Sequence, residues 1–186
     1  MSLSNIYSKG ILTRNCVLSI NDIGKNIKEI LEDKLKRELE GKCCKDGYVK
    51  EGSLQVVTYS SGKITAGSQV MFEVVIEILV AFPVEGMLIE AKADVITKAG
   101  IKASIPDMNP SPIVMFISRD HFHSNSYFQN VKEDDNIVVR VIGQRFELND
   151  PFISVIGELV KPRRTEGSGQ GGVDGSNQQP FIVLDE

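Results

Sequence analysis

The chain has 186 residues, 41% of them hydrophobic and 25% charged, with a formal net charge of −4. This is the composition of an ordinary globular protein, and no apolar run approaches the ~20 residues that a membrane-spanning helix needs. The acidic balance argues against a protein that grips nucleic acid through bulk positive charge, so any such contact is expected to be local and weak.

The N-terminal MSLSNIYSKG lacks the long apolar core of a secretory signal, and an intracellular protein with no membrane partner is expected. Cys16, Cys43 and Cys44 are then expected to be free thiols. An adjacent cysteine pair cannot supply CxxC spacing, and the two histidines, His121 and His123, lie far away in sequence, so neither a metal site nor a cofactor is expected.

Cys16, Leu18 and Ile20 alternate and predict a strand at about 15–20. Ile23, Ile27, Ile30, Leu31, Leu35 and Leu39 fall on one stripe of 3.6 periodicity, which predicts a helix started by Asn21 and Asp22 and ended by Gly41 in the left-handed conformation. Glu32 with Lys36 and Asp33 with Arg37 stand in the acid-first i,i+4 order on the other side, which reads as a solvated face. Asp46-Gly47, Glu51-Gly52, Ser61-Gly62 and Ala66-Gly67 then punctuate short strands. Of these strands, Leu54 to Tyr59 is expected to pair with the one that begins at Val70.

The stretch Val70 to Ala91 organises the chain. Val70, Phe72, Val74, Ile76, Ile78 and Val80 share one parity, which predicts a long strand, central in its sheet, with one fully buried face. Pro83 cannot donate to a ladder, so pairing has to end or change partner there, and Gly86 permits the bend that opens a second alternating run from Met87 to Ile96. Beyond Pro83 no helix is expected. Strands at about 86–96, 101–105, 113–117, 137–143 and 152–160 fit a small barrel of the oligonucleotide-binding type, interrupted by a long polar loop at 118–136.

The predicted class is therefore α+β: an N-terminal antiparallel sheet with one packed helix in domain 1–82, followed by an all-β S1/OB-like barrel in domain 83–160. From Lys161 the composition shifts to a glycine-rich stretch, read as a flexible tail over 161–186 that ends in the apolar quartet Phe181, Ile182, Val183 and Leu184 before Asp185 and Glu186. That quartet is expected to dock on an apolar groove or sheet edge, either of another subunit or of the chain's own N-terminal domain. No GxSxG, HExxH or phosphate-cradling glycine loop is present, and Asp120-His121 is the sole acid and imidazole pair, so no catalytic residues and no small-molecule substrate are expected.

The segment ILEDKLKRELEGKCCKDGYV (30–49) resembles the helix, EG stop and GY-containing turn of the stalk subunits of multisubunit RNA polymerases, the family of the seventh subunit of eukaryotic RNA polymerase II and its archaeal counterpart. The family's further pieces follow in order over about residues 15–160: a G-x-I tip loop (Gly62, Lys63, Ile64), the long strand, an F-x-x-G junction with one extra residue (FPVEG, 82–86), VRVIG (139–143) and ISVIGEL (153–159).

The resemblance implies a non-catalytic subunit of a DNA-directed RNA polymerase, present in the nucleus of a cell. For a divergent member encoded by a large DNA virus it implies a viral factory or a virion. Its tip domain would dock near the clamp of the large core subunits through Lys45, Asp46, Gly47, Ser61, Gly62, Lys63 and Ile64, beside a small fourth-subunit-like partner. Its barrel would meet nascent RNA weakly through Lys98, Lys102, Phe116, Arg119, His121, Arg140 and Arg145. The alternative on these residues is a free-standing S1/OB-type RNA-binding module.

Overall fold

The structure, a computed structural model, describes residues 6–119 and 126–161. Its spine is β6 (Gln69–Ala81), thirteen residues whose inward parity, Val70 through Val80, is buried throughout. β1 (Tyr7–Ser19) runs antiparallel along one edge of it over the whole length, from Tyr7 opposite Ala81 to Ser19 opposite Gln69. Along the other edge lie β5 (Lys63–Thr65) at the start, β4 (Gln55–Tyr59) in the middle and β3 (Gly47–Val49) at the end, with β2 (Cys43–Cys44) outside β3. β6 is thus the central strand that its alternation predicts.

β1 begins eight residues before the predicted strand. Its first half carries Lys9, Thr13 and Arg14 among Ile11 and Leu12 and has no clean period of two. It is a strand because β6 offers it a ladder of full length, so pairing overrides a weak local pattern.

α1 (Ile27–Leu39) lies on one face of the sheet and buries Leu31 and Leu35 against Phe72, Ile76 and their neighbours. It starts four residues later than the apolar stripe predicts. Ile20–Asp22 form a 3₁₀ turn in which the Ser19 hydroxyl accepts from the Asn21 amide at 3.4 Å, and Gly24 falls in the gap between turn and helix, where its backbone freedom disfavours helix. Asn21 and Asp22 therefore do not cap α1, although Ile23 and Ile27 still pack on the core. Gly41 follows the helix with φ of 71°, the left-handed stop expected of it.

The charged face of α1 is not merely solvated. Glu32 accepts from Lys36 Nζ at 2.7 Å with one carboxylate oxygen and from the Val56 amide at 3.1 Å with the other, while Glu40 accepts from the Leu54 amide at 2.9 Å. The Val56 amide lies on the edge of β4 that faces away from β6, and Leu54 immediately precedes that strand. The helix carboxylates close an otherwise open sheet edge. Asp33 and Arg37 form no ion pair with each other.

Strand pairing ends at Ala81, two residues before the buried Pro83, and the second β system begins beyond Gly86, whose φ is 83°. β7 (Leu88–Ile96), β8 (Gly100–Ser104), β9 (Ile113–Ser118), β10 (Asn136–Arg145) and β11 (Ile153–Val160) close into a barrel in the order β10-β11-β9-β8-β7, with β11 parallel to β9 and every other pair antiparallel. All five predicted strands are present. A short helix, α2 (Ser126–Asn130), interrupts the stretch that reads as loop; Phe128 buries there, and a single turn carries too few residues to show a period.

Two hydrophobic clusters form. One lies between α1 and the sheet, and the other fills the barrel and takes in Cys43, Tyr48 and Ala81 from the sheet. Reciprocal backbone bonds from the Cys43 amide to the Asp150 carbonyl (2.9 Å) and from the Asn149 amide to the Cys43 carbonyl (2.8 Å) tie β2 to the β10–β11 turn.

Candidate functional site

The outer face of the barrel carries the clearest constellation. Barrel strands send alternate residues inward, so β9 buries Ile113, Met115 and Ile117 and turns Val114 and Phe116 outward. Cross-strand register then aligns Val95, Lys102, Phe116, Ile156 and Gly143, one from each strand in turn, as a continuous row around the outside. At roughly 4.8 Å between strands, Phe116 has Lys102 on one side and Ile156 on the other, both within direct reach. Phe116 is 42% exposed, Ile156 55% and Val95 45%. Gly100 makes room for the aromatic ring, since a Cβ there would lie 3.0 Å from the Phe116 Cζ and 2.2 Å from the Ile117 carbonyl oxygen.

The next row along the barrel, Lys92, Ser104, Val114, Ser154 and Arg145, is mostly polar. An exposed aromatic beside a lysine, between an aliphatic row and a polar one, can stack a base or plane and hold an adjacent anion.

The remaining predicted contacts are unequal. Arg140 pairs with Glu158 at 3.6 Å and Arg145 with Glu147 at 3.4 Å, so both guanidiniums already face a carboxylate. Arg119 donates from Nη2 to the Thr97 carbonyl at 3.1 Å and sits 5.6 Å from the Phe128 ring centroid, a position that pins α2 to the β7–β8 turn. Lys98 is exposed in that same turn. Lys98 and Lys102 have no ion pair among the described residues, and His121 lies outside the described residues. The strands therefore bring Lys102 and Phe116 together directly. Ile156 and Val95 are members that sequence reasoning missed. Their signal was available: Ile156 shares outward parity with Ser154 and Glu158, an apolar residue in a polar register.

The predicted docking residues fall into two groups that the fold holds apart. Lys45 and Asp46 form the β2–β3 turn and Gly47 opens β3, at the end of β6 where Tyr48 faces Ala81. Ser61 and Gly62 lie in the β4–β5 connection and Lys63 and Ile64 open β5, where Lys63 faces Met71. Ten residues of β6 at about 3.3 Å each separate the two by roughly 30 Å.

Gly47 is a packing position, because with φ of 121° a Cβ would come 2.3 Å from the Ala81 carbonyl oxygen. At Gly62, likewise, a Cβ would come 2.5 Å from Val70 and 3.0 Å from the Phe72 ring. Ile64, 79% exposed, is the most exposed large apolar side chain described, with Tyr59 (40%) and Val57 (56%) on the neighbouring strand. Phe181, Ile182, Val183 and Leu184 lie outside the described residues.

Reactive chemistry finds little purchase here. The buried Cys43 thiol is pushed up to about 11, first by burial and then by Asp150 and Cys44, so it stays protonated at neutral pH. Tyr7 is pushed up to about 12 by burial, with Tyr48 and Glu51 adding to it. Among the described residues no group of three or more His, Cys, Asp or Glu side chains is placed to hold a metal ion, and no helix is long and apolar enough to cross a membrane.

No protein-family model matches the chain. Its sequence is similar to the DNA-directed RNA polymerase II subunit 7 of Arabidopsis thaliana, at 25% identity over 173 residues that cover 80% of this chain and 95% of that protein. This distant similarity supports the stalk-subunit resemblance and gives no support to a viral origin.

Proposed function

We propose that the chain is a non-catalytic stalk subunit of a DNA-dependent RNA polymerase, working inside the cell and in the nucleus of a eukaryote. The observation that carries this reading is the similarity along nearly the whole of a polymerase subunit, joined to a fold in which a helix-backed sheet precedes an OB-type barrel. Residues 1–82 act as the tip domain and residues 83–160 as the barrel domain. The tip docks on the large core subunits near the clamp through the β4–β5 connection, with Ile64 as its apolar anchor and Lys63 beside it. Lys45, Asp46 and Gly47, in the β2–β3 hairpin at the far end of β6, border a second contact with the core subunits, and a small fourth-subunit-like partner binds beside the tip. The barrel presents Phe116 and Lys102 to nascent RNA, with weak affinity because the neighbouring arginines are already paired.

The test is affinity purification of the tagged full chain from its native source, followed by mass spectrometry. Large polymerase subunits are expected in the eluate. Ile64→Asp is expected to reduce their recovery at least tenfold while leaving the stability of the isolated chain within about 0.5 kcal/mol, as befits an exposed site. Recovery of RNA without any polymerase subunit would overturn the proposal in favour of a free-standing RNA-binding module, which the exposed Phe116 row also suits.

A further inference from the structure

At the seam between sheet and barrel lies a groove of about 250 Å³, walled by the C-terminal end of α1, the β2–β3 hairpin and the β10–β11 turn. Leu39, Cys44 and Leu148 supply its apolar surface, and Leu148 is 60% exposed, an uncovered leucine on a turn that two reciprocal backbone bonds hold in place. Arg14, Lys42 and Lys45 supply cations at its rim. Arg14 is shared with Asp46 at 3.7 Å, and Glu38 also borders the groove, whereas Lys42 and Lys45 have no ion pair among the described residues. The groove therefore suits an aliphatic segment followed at once by acidic residues.

We infer that its occupant is this chain's own segment Phe181–Glu186. Phe-Ile-Val-Leu followed by Asp-Glu offers the groove both an apolar part for its leucines and acids for the cations at its rim. In an extended segment Ile182 and Leu184 share one side and enter against Leu39 and Leu148, while Asp185 and Glu186 reach Lys42 and Lys45. The reach is sufficient. Lys161 follows β11, whose eight residues lead away from the β10–β11 turn over about 26 Å at 3.3 Å per residue. Residues 162–180, rich in glycine and serine, give a root-mean-square span of about 24 Å by the ~5–6 Å × √n rule. A span matched to the distance gives the tethered segment a near-maximal effective concentration at the groove. The inference does not rest on the polymerase reading, and it is tested on the purified chain alone.

Zero-length carbodiimide coupling of the full chain at low concentration, with digestion and mass spectrometry of the monomer band, tests it. Links from Lys42 or Lys45 to Asp185 or Glu186 are expected. The double variant Ile182→Asp, Leu184→Asp is expected to lower their yield at least tenfold, while the link between Lys92 and Asp134, paired at 2.7 Å within the barrel, stays constant as internal standard. The inference is overturned if the tail acids couple to lysines all over the surface, if the double variant couples as well as the parent, or if the links appear only in a dimer band, which would make the occupant the tail of a second copy.

Discussion

Removing the Glu32 carboxylate tests whether helix α1 holds the sheet through its charges as well as its apolar stripe. One oxygen of Glu32 accepts from the Val56 amide at 3.1 Å and the other from Lys36 at 2.7 Å. Val56 is 2% exposed, so water is poorly placed to replace the lost acceptor. A hydrogen bond to a charged group contributes about 1.5–3 kcal/mol, whereas a half-exposed i,i+4 ion pair contributes about 0.3–0.5 kcal/mol. Alanine's better helix propensity returns a few tenths.

Glu32→Ala is therefore expected to cost about 2 kcal/mol and Glu32→Gln about 1 kcal/mol, with Lys36→Ala costing clearly less than either. Urea unfolding of the full chain, with unchanged m-value, reads these as midpoint shifts; about 1 M is expected for the alanine variant at an m of about 2 kcal/mol/M. The Lys36 hydrogen bond, aided by the Val56 amide, holds the Glu32 carboxyl below its ordinary value of 4.5. A depressed folded value means that this stabilisation is fully present above pH 4.5 and is lost as the pH falls through the folded value. The gap between parent and Glu32→Gln should accordingly close in acid. If Lys36→Ala costs as much as Glu32→Ala, the ion pair and not the capped strand edge is what matters, and the reasoning fails.

Gly47→Ala is expected to cost more than about 2 kcal/mol, because its Cβ meets the Ala81 carbonyl oxygen at 2.3 Å with φ of 121°, whereas Gly52→Ala, also at positive φ but facing open space, should cost about 1 kcal/mol; thermal or urea unfolding distinguishes them. Phe116→Ala is expected to leave stability nearly unchanged and to weaken binding of a single-stranded oligoribonucleotide by about 1–3 kcal/mol, read by fluorescence anisotropy; unchanged binding would make Phe116 an ordinary exposed side chain.

Much of the fold is legible in the sequence because burial imposes it locally. β6 needs one face inside, and the barrel strands need alternate residues inside, so both carry a period of two that turn residues punctuate. What is not legible depends on partners distant in sequence. Tyr7 to Arg14 is strand only because β6 runs beside it, and Glu32 reads as solvated until β4 folds against it. The site divides in the same way. Phe116 and Lys102 stand fourteen positions apart and become neighbours through the β8–β9 register, which their spacing alone does not specify. Lys45 and Lys63 look close in the chain, yet the length of β6 keeps them apart.

That arrangement also bears on how an acidic chain would hold RNA at all. Counterion release steepens the salt dependence of single-strand binding by about 0.7 per neutralised phosphate, and it requires cations not already facing a carboxylate. Arg140 and Arg145 face Glu158 and Glu147, and Arg119 is occupied by the Thr97 carbonyl and the Phe128 ring. Of the barrel cations that the sequence singles out, Lys98 and Lys102 are left without an ion pair among the described residues, enough together for a log–log salt slope of about −1.4. An interface of this kind draws its free energy from Phe116 and the apolar row beside it rather than from charge. Such contacts are tolerant of base identity and easily released, which suits the proposed weak contact with nascent RNA.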